Sequence, residues 1–87
     1  MEFEFDPRKS MANQAKHGID FDDAKELWND PHLVLAPARD VDEPRFLAIG
    51  RIGEKHWSAI CVLREDRVRL ISVRRSREQE ISHYEGA

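Results

Sequence analysis

The sequence predicts a single α+β domain over residues 1–87, with a short N-terminal strand, two helices, an antiparallel meander sheet of about four strands and a C-terminal helix. Three observations carry this. Apolar residues recur at helical spacing as far as Trp28, and beyond Pro31 the pattern changes to dense runs rich in Val, Ile, Leu, Phe and Trp. Those runs are separated by Gly53-Glu54 and Glu65-Asp66, short enough for hairpin turns and therefore for antiparallel pairing. At 87 residues, two separate cores would each bury too little apolar surface to offset chain entropy of roughly 1–2 kcal/mol per residue.

Residues 2–5 alternate Glu-Phe-Glu-Phe, as a half-buried strand does. Asp6-Pro7 is a helix start, because the carboxylate can cap free backbone N–H groups and proline at the first helical position loses no needed donor. This helix runs to about His17, where Gly18 can take the left-handed conformation that ends it. Asp20 caps a second helix with Phe21, Ala24, Leu27 and Trp28 as its buried stripe, and Asp30-Pro31 stops it. The strands are expected at 32–36, 45–52, 56–64 and 67–74, with Pro37–Pro44 as a surface loop. A last amphipathic segment, 76–85, aligns Arg77, Glu80, Ile81 and Tyr84 on one helical face.

Composition excludes several classes. No apolar run approaches the ~20 residues that span a bilayer, and the N-terminus lacks the basic and apolar regions of a signal peptide, so a cytoplasmic protein without a membrane is expected. The lone Cys61 sits in Ala59-Ile60-Cys61-Val62-Leu63 and reads as core filler. A formal charge of −3 argues against a broad nucleic-acid-binding surface. Residues 67–77 nevertheless hold five arginines and no acid, one cationic strip suited to a focused anion site.

Within that strip, Arg69, Arg74 and Arg75 are the leading phosphate ligands, since a guanidinium offers a planar fork to two phosphate oxygens. Strict strand alternation points Arg69 and Arg74 to opposite faces, unless a bulge near Ser72 intervenes. Surface pairing with the many acidic side chains is the plainer role for any one arginine. Lys9, Asn13 and either Lys16 or His17 share a polar face of the first helix, which points to solvent or to a site. His17 is suited to acid–base work by its ordinary titration near pH 6.5, or else simply complements the helix dipole. His32, His56 and His83 show no metal-ligand spacing, so no metal and no cofactor is expected, and neither a phosphate loop nor a nucleophile elbow is present. Trp28 and Trp57 fit core packing better than base stacking.

Several phrases resemble the BrnT family: Phe5-Asp6-Pro7 with Lys9 and Asn13; Lys16-His17-Gly18-Ile19 with Phe21 and Ala24; Asp30-Pro31; Arg45-Phe46 with Gly50; and Arg69 through Arg75 with Glu80 and Tyr84. They cover nearly the whole chain. Val73 stands where the family pattern has alanine and Phe5 where it often has tryptophan, apolar exchanges that keep every charged position. The resemblance implies a RelE-like fold and a cytoplasmic bacterial endoribonuclease toxin of a type II toxin–antitoxin pair that inhibits translation and growth. It also implies a BrnA-like ribbon-helix-helix antitoxin as partner, with operator DNA read only through that antitoxin.

Metal-independent RNA cleavage uses the ribose 2′-hydroxyl as nucleophile, so the protein must supply a base, an acid and cations for the phosphorane. The candidates are Lys16, His17, Arg69, Arg74, Glu80 and Tyr84 for catalysis, and Lys9, Asn13, Arg75 and Arg77 for RNA binding. The alternative is a non-catalytic module that recognises a protein partner or nucleic acid through the strip 67–77. An antitoxin is expected along a sheet edge or over the sheet face carrying the arginines.

Overall fold

The first helix, α1, spans Pro7–His17, and both ends follow from their residues. Asp6 Oδ1 accepts from Arg8 N at 2.9 Å, and Gly18 closes the helix at φ 80° with its N–H on Gln14 O. The computed structural model describes residues 1–38 and 44–86. Most of the loop expected between Pro37 and Pro44 therefore lies outside the described residues.

Where one helix was expected to follow Asp20, the chain makes a four-residue α-helix, α2 (Phe21–Ala24), and then a 3₁₀ segment, Lys25–Asn29. The reason is geometric. Phe21, Ala24 and Leu27 lie three apart and all have zero exposure, and a three-residue repeat keeps such side chains in line. The tighter winding ends with Asp30 N on Leu27 O at 3.1 Å, which delivers Asp30 to the sheet.

The strands are β1 (Glu2–Glu4), β2 (Val34–Pro37), β3 (Phe46–Ile52), β4 (Lys55–Arg64) and β5 (Arg67–Arg75), and α3 spans Glu78–Tyr84. They form one five-stranded sheet in the order β1-β5-β4-β3-β2. β2 to β5 pair antiparallel, whereas β1 pairs parallel with β5, aligning Glu2, Phe3 and Glu4 with Arg67, Val68 and Arg69. The expected four-stranded antiparallel meander is thus corrected to a five-stranded mixed sheet. Aromatic packing draws β1 in: Phe3 meets Trp28 edge-on at 5.0 Å, and Phe5 meets Phe21 at 5.6 Å.

On one face of the sheet, Ala48, Trp57, Ala59, Cys61, Val68, Leu70 and Val73 pack against Ile19, Phe21, Ala24 and Leu27. This is the core, and Cys61 is buried in it as expected; burial pushes its thiol up to about 12. The opposite face, bearing Ser58 and Arg74, receives α3. Among the described residues no helix is long and apolar enough to cross a membrane.

Candidate active site

The arginines of β5 are sorted by a bulge. Ile60 aligns with Ser72 but Cys61 with Leu70, so Ile71 is an extra residue on β5. Val68, Leu70 and Val73 consequently share the core face, at 2%, 1% and 0% exposure. Arg69, Ser72 and Arg74, whose cross-strand partners are Val62, Ile60 and Ser58, share the other face. Simple alternation separates Arg69 from Arg74; the inserted residue puts them on one side, about 13 Å apart along the strand at ~3.3 Å per step.

Arg74 is the best-organised of these cations. Its Nη1 and Nη2 donate to Glu80 Oε1 and Oε2, both at 2.8 Å, and Nη1 also donates to Arg75 O at 3.3 Å. Glu80 Oε1 further accepts from Arg77 N at 2.8 Å and from Ser58 Oγ at 2.9 Å. The hydrogen bonds from Arg74 hold the Glu80 carboxyl down to about 2 against the opposing effect of burial, and the same bonds raise the guanidinium of Arg74. Glu80 is therefore a fixed carboxylate and a poor proton acceptor near neutrality. With Nη1 and one Nη2 hydrogen engaged, Arg74 keeps its side-on fork, Nε–H and the second Nη2–H, without a partner among the described residues. Arg74 lines an open groove of about 390 Å³ together with Pro37, Ala38, Arg45, Leu47, Ile60, Arg77 and Glu80.

The other strip residues have different duties. Arg69 Nη1 pairs with Glu4 at 3.3 Å and Arg67 with Glu2 at 3.6 Å, each across the parallel β1–β5 ladder. Arg75 lies on the core face, 5.5 Å over the Trp57 ring, and donates to His56 O at 3.3 Å. It faces away from Arg74. Arg77 is exposed at the start of α3 and lines the groove.

The first-helix candidates do not join this site. Asn13 is 6% exposed, and its side-chain amide donates to Ile19 O and Val73 O at 2.8 Å while its Oδ1 accepts from Val73 N at 3.1 Å. It clamps α1 to β5. Its neighbour Ser10 is also buried and accepts from Phe21 N at 2.8 Å. Lys9 and Lys16 are exposed and His17 is half-buried, but all three ride on α1, on the core side of the sheet. The sheet stands between them and the Arg74–Glu80 unit.

Tyr84, one turn beyond Glu80 on α3, engages different partners. Its hydroxyl donates to Asp30 Oδ2 at 2.8 Å, and its ring meets His56 edge-on at 5.3 Å. Asp30 also accepts from His32 N and Arg51 N at 2.8 Å each. Burial opposes ionisation of Asp30, yet these bonds together leave its carboxyl below the ordinary value. Burial and the bond to Asp30 raise the phenol of Tyr84, so it holds its proton. Gly50 permits this approach, because a Cβ there would lie 3.1 Å from Leu27 and Leu33 side-chain carbons and 3.2 Å from Asp30 Oδ2. Among the described residues no group of three or more His, Cys, Asp or Glu is arranged to hold a metal ion.

The sequence reading missed Ser58, Ser76 and the anchoring role of Asp30. The one signal for Ser58 was a hydroxyl inside the apolar run 57–63.

The family model described as "Ribonuclease toxin, BrnT, of type II toxin-antitoxin system" matches residues 5–80. The chain belongs to the BrnT family. The match takes in all of α1, the sheet from β2 to β5, and α3 as far as Glu80, so the Arg74–Glu80 unit lies wholly inside the family region. Tyr84 falls beyond its end. No curated protein matches the chain. Membership of BrnT makes this chain a member of a family of ribonuclease toxins, with an antitoxin and RNA as its counterparts at the level of the family.

Proposed function

We propose that this BrnT chain is an endoribonuclease that cleaves RNA without a metal ion, by attack of a ribose 2′-hydroxyl on the adjacent phosphate, and so stops translation and growth. The observation that carries this is the Arg74 guanidinium: held end-on by Glu80 through two 2.8 Å bonds, it lines an open groove of about 390 Å³. Because the nucleophile comes from the substrate, the largest demand on the protein is preorganised positive charge where the phosphorane develops. Arg74 supplies that charge, and Arg77 adds a second cation at the rim. Glu80 acts through Arg74, and its lowered pKa suits it to that purpose better than to proton abstraction. Leu47 and Ile60 offer the sugar and base an apolar floor. Arg69, some 13 Å away, can reach a neighbouring phosphate if its pair with Glu4 opens.

The helix-backed sheet suits a RelE-like ribonuclease, and that assignment is part of the proposal. So is neutralisation by a BrnA-like ribbon-helix-helix antitoxin that covers the Arg74 face and blocks the groove. In the test, purified chain is incubated with single-stranded RNA in EDTA. The reading requires fragments ending in 2′,3′-cyclic phosphate, the direct product of 2′-hydroxyl attack. Intact RNA, with or without ribosomes present, refutes it in favour of a non-catalytic module that binds through the arginines.

A further inference from the structure

Ser58 has zero exposure, in mid-strand on β4, flanked by Trp57 and Ala59, which both face the core. A hydroxyl in such a place is destabilising unless hydrogen-bonded. Its cross-strand partner is Arg74, and its Oγ lies 2.9 Å from Glu80 Oε1 and 2.8 Å from Ser76 Oγ. Since a carboxylate only accepts, Ser58 donates to Glu80, and its single proton is then committed. Ser76 must therefore donate to Ser58. The result is a directed chain, Ser76 to Ser58 to Glu80, ending on the carboxylate that grips Arg74. Ser76 is itself tied down, with its N–H on His56 O at 3.0 Å.

We propose that Ser58, backed by Ser76, is a positioning residue for Arg74: it locks the Glu80 carboxylate in the plane that engages Arg74 end-on and leaves the side-on fork facing the groove. Neither α3 nor β5 alone fixes that plane. Arg77 N and Arg74 Nη1 bind Oε1 and Arg74 Nη2 binds Oε2, all from the α3 and β5 side, and Ser58 adds the contact from β4 that opposes rotation of the carboxylate, with its guanidinium, about the bond to Cγ. Without it, Glu80 can turn and carry the guanidinium with it, changing which donors face the groove. This rests on Arg74 being the phosphate-binding cation.

The experiment is a double-mutant cycle with Ser58→Ala and Arg74→Lys, read by cleavage of single-stranded RNA and by affinity for an uncleavable 2′-O-methyl RNA. Affinity remains measurable even where cleavage is lost. The expected result is a roughly three- to tenfold loss from Ser58→Ala alone, and less than about 1.5-fold loss in the Arg74→Lys background. The titration midpoint of Glu80, followed by carbon-detected NMR, should rise from its low wild-type value in Ser58→Ala, with the circular dichroism spectrum unchanged. Ser76→Ala, at a less buried position, should reproduce the effect more weakly and covers the case in which Ser58→Ala folds poorly. Equal losses from Ser58→Ala in both backgrounds, or no loss in either, overturn the proposal. If Arg74→Lys itself changes neither cleavage nor affinity, the assignment of Arg74 fails, and the positioning role fails with it. A Glu80 midpoint that still rises in Ser58→Ala then shows a hydrogen bond with no part in RNA binding.

Discussion

Replacing Asn13 with alanine tests how the fold presents Arg74. The Asn13 amide makes three buried hydrogen bonds, two of them to the backbone of Val73, next to Arg74 on the bulged strand. Truncation leaves Val73 N–H, Val73 C=O and Ile19 C=O without that partner, in a region closed to water. A neutral hydrogen bond contributes about 1 kcal/mol net, and an abandoned buried group costs about 1–3 kcal/mol. The low end of that range gives a loss of roughly 3 kcal/mol, a large share of the 5–15 kcal/mol typical of a domain. For a chain of this size that amounts to a fall in Tm of roughly 12–24 °C. Asn13→Asp should be at least as damaging at neutral pH, because a carboxylate would confront two carbonyl oxygens. It should recover part of the loss on acidification, when one oxygen regains a proton to donate. Thermal and urea unfolding followed by circular dichroism measures both variants. A fall in Tm below about 5 °C for Asn13→Ala would refute the reasoning, because the clamp would then contribute no more than an exposed side chain.

Two other outcomes follow from ionisation. Glu80 is held at about 2, below its ordinary 4.5, so the folded state binds its proton less readily than the unfolded state. Its contribution, about 3 kcal/mol for a shift of this size, is present above pH ~4.5 and is lost as pH falls towards 2. The acid limb of the stability profile should therefore flatten in Glu80→Gln, as measured by urea titrations across that range; an unchanged slope contradicts the pairing with Arg74. Cys61, buried with its thiol raised to about 12, should resist thiol-modifying reagents in the native state and react at the rate of global unfolding. Rapid modification at neutral pH, followed by mass spectrometry, would contradict its place in the core.

The architecture was legible where local chemistry decides. Asp6-Pro7 and Gly18 bound α1, and the apolar runs with their short turns place β2 to β5 within about two residues. What sequence reasoning missed depends on long-range geometry. The parallel pairing of β1 with β5 joins residues more than sixty positions apart and leaves no trace in a three-residue strand. The bulge at Ile71 is equally silent, because nothing in Arg69-Leu70-Ile71-Ser72 marks which residue is extra, yet it decides which arginines share a face. Asn13 shows the opposite hazard: in a helix with few apolar residues, a buried amide reads as solvent-facing until its backbone partners are known. Arg74, Glu80 and Arg77, which the structure joins by hydrogen bonds, stood out as candidates by residue type. Their coupling through Ser58 was not, since serine in an apolar run is compatible with many roles.

The central claim is that the chemistry resides on the α3 face of the sheet, with Arg74 as its principal cation. The most direct measurement is kcat/KM for single-stranded RNA in EDTA, comparing wild type with Arg74→Ala and His17→Ala, each shown to be folded by circular dichroism. The account predicts at least a tenfold loss for Arg74→Ala, about 1.4 kcal/mol of transition-state stabilisation, and a change of less than about threefold for His17→Ala. Full activity in folded Arg74→Ala, or a collapse of activity in folded His17→Ala, would contradict it and place the site on the α1 side.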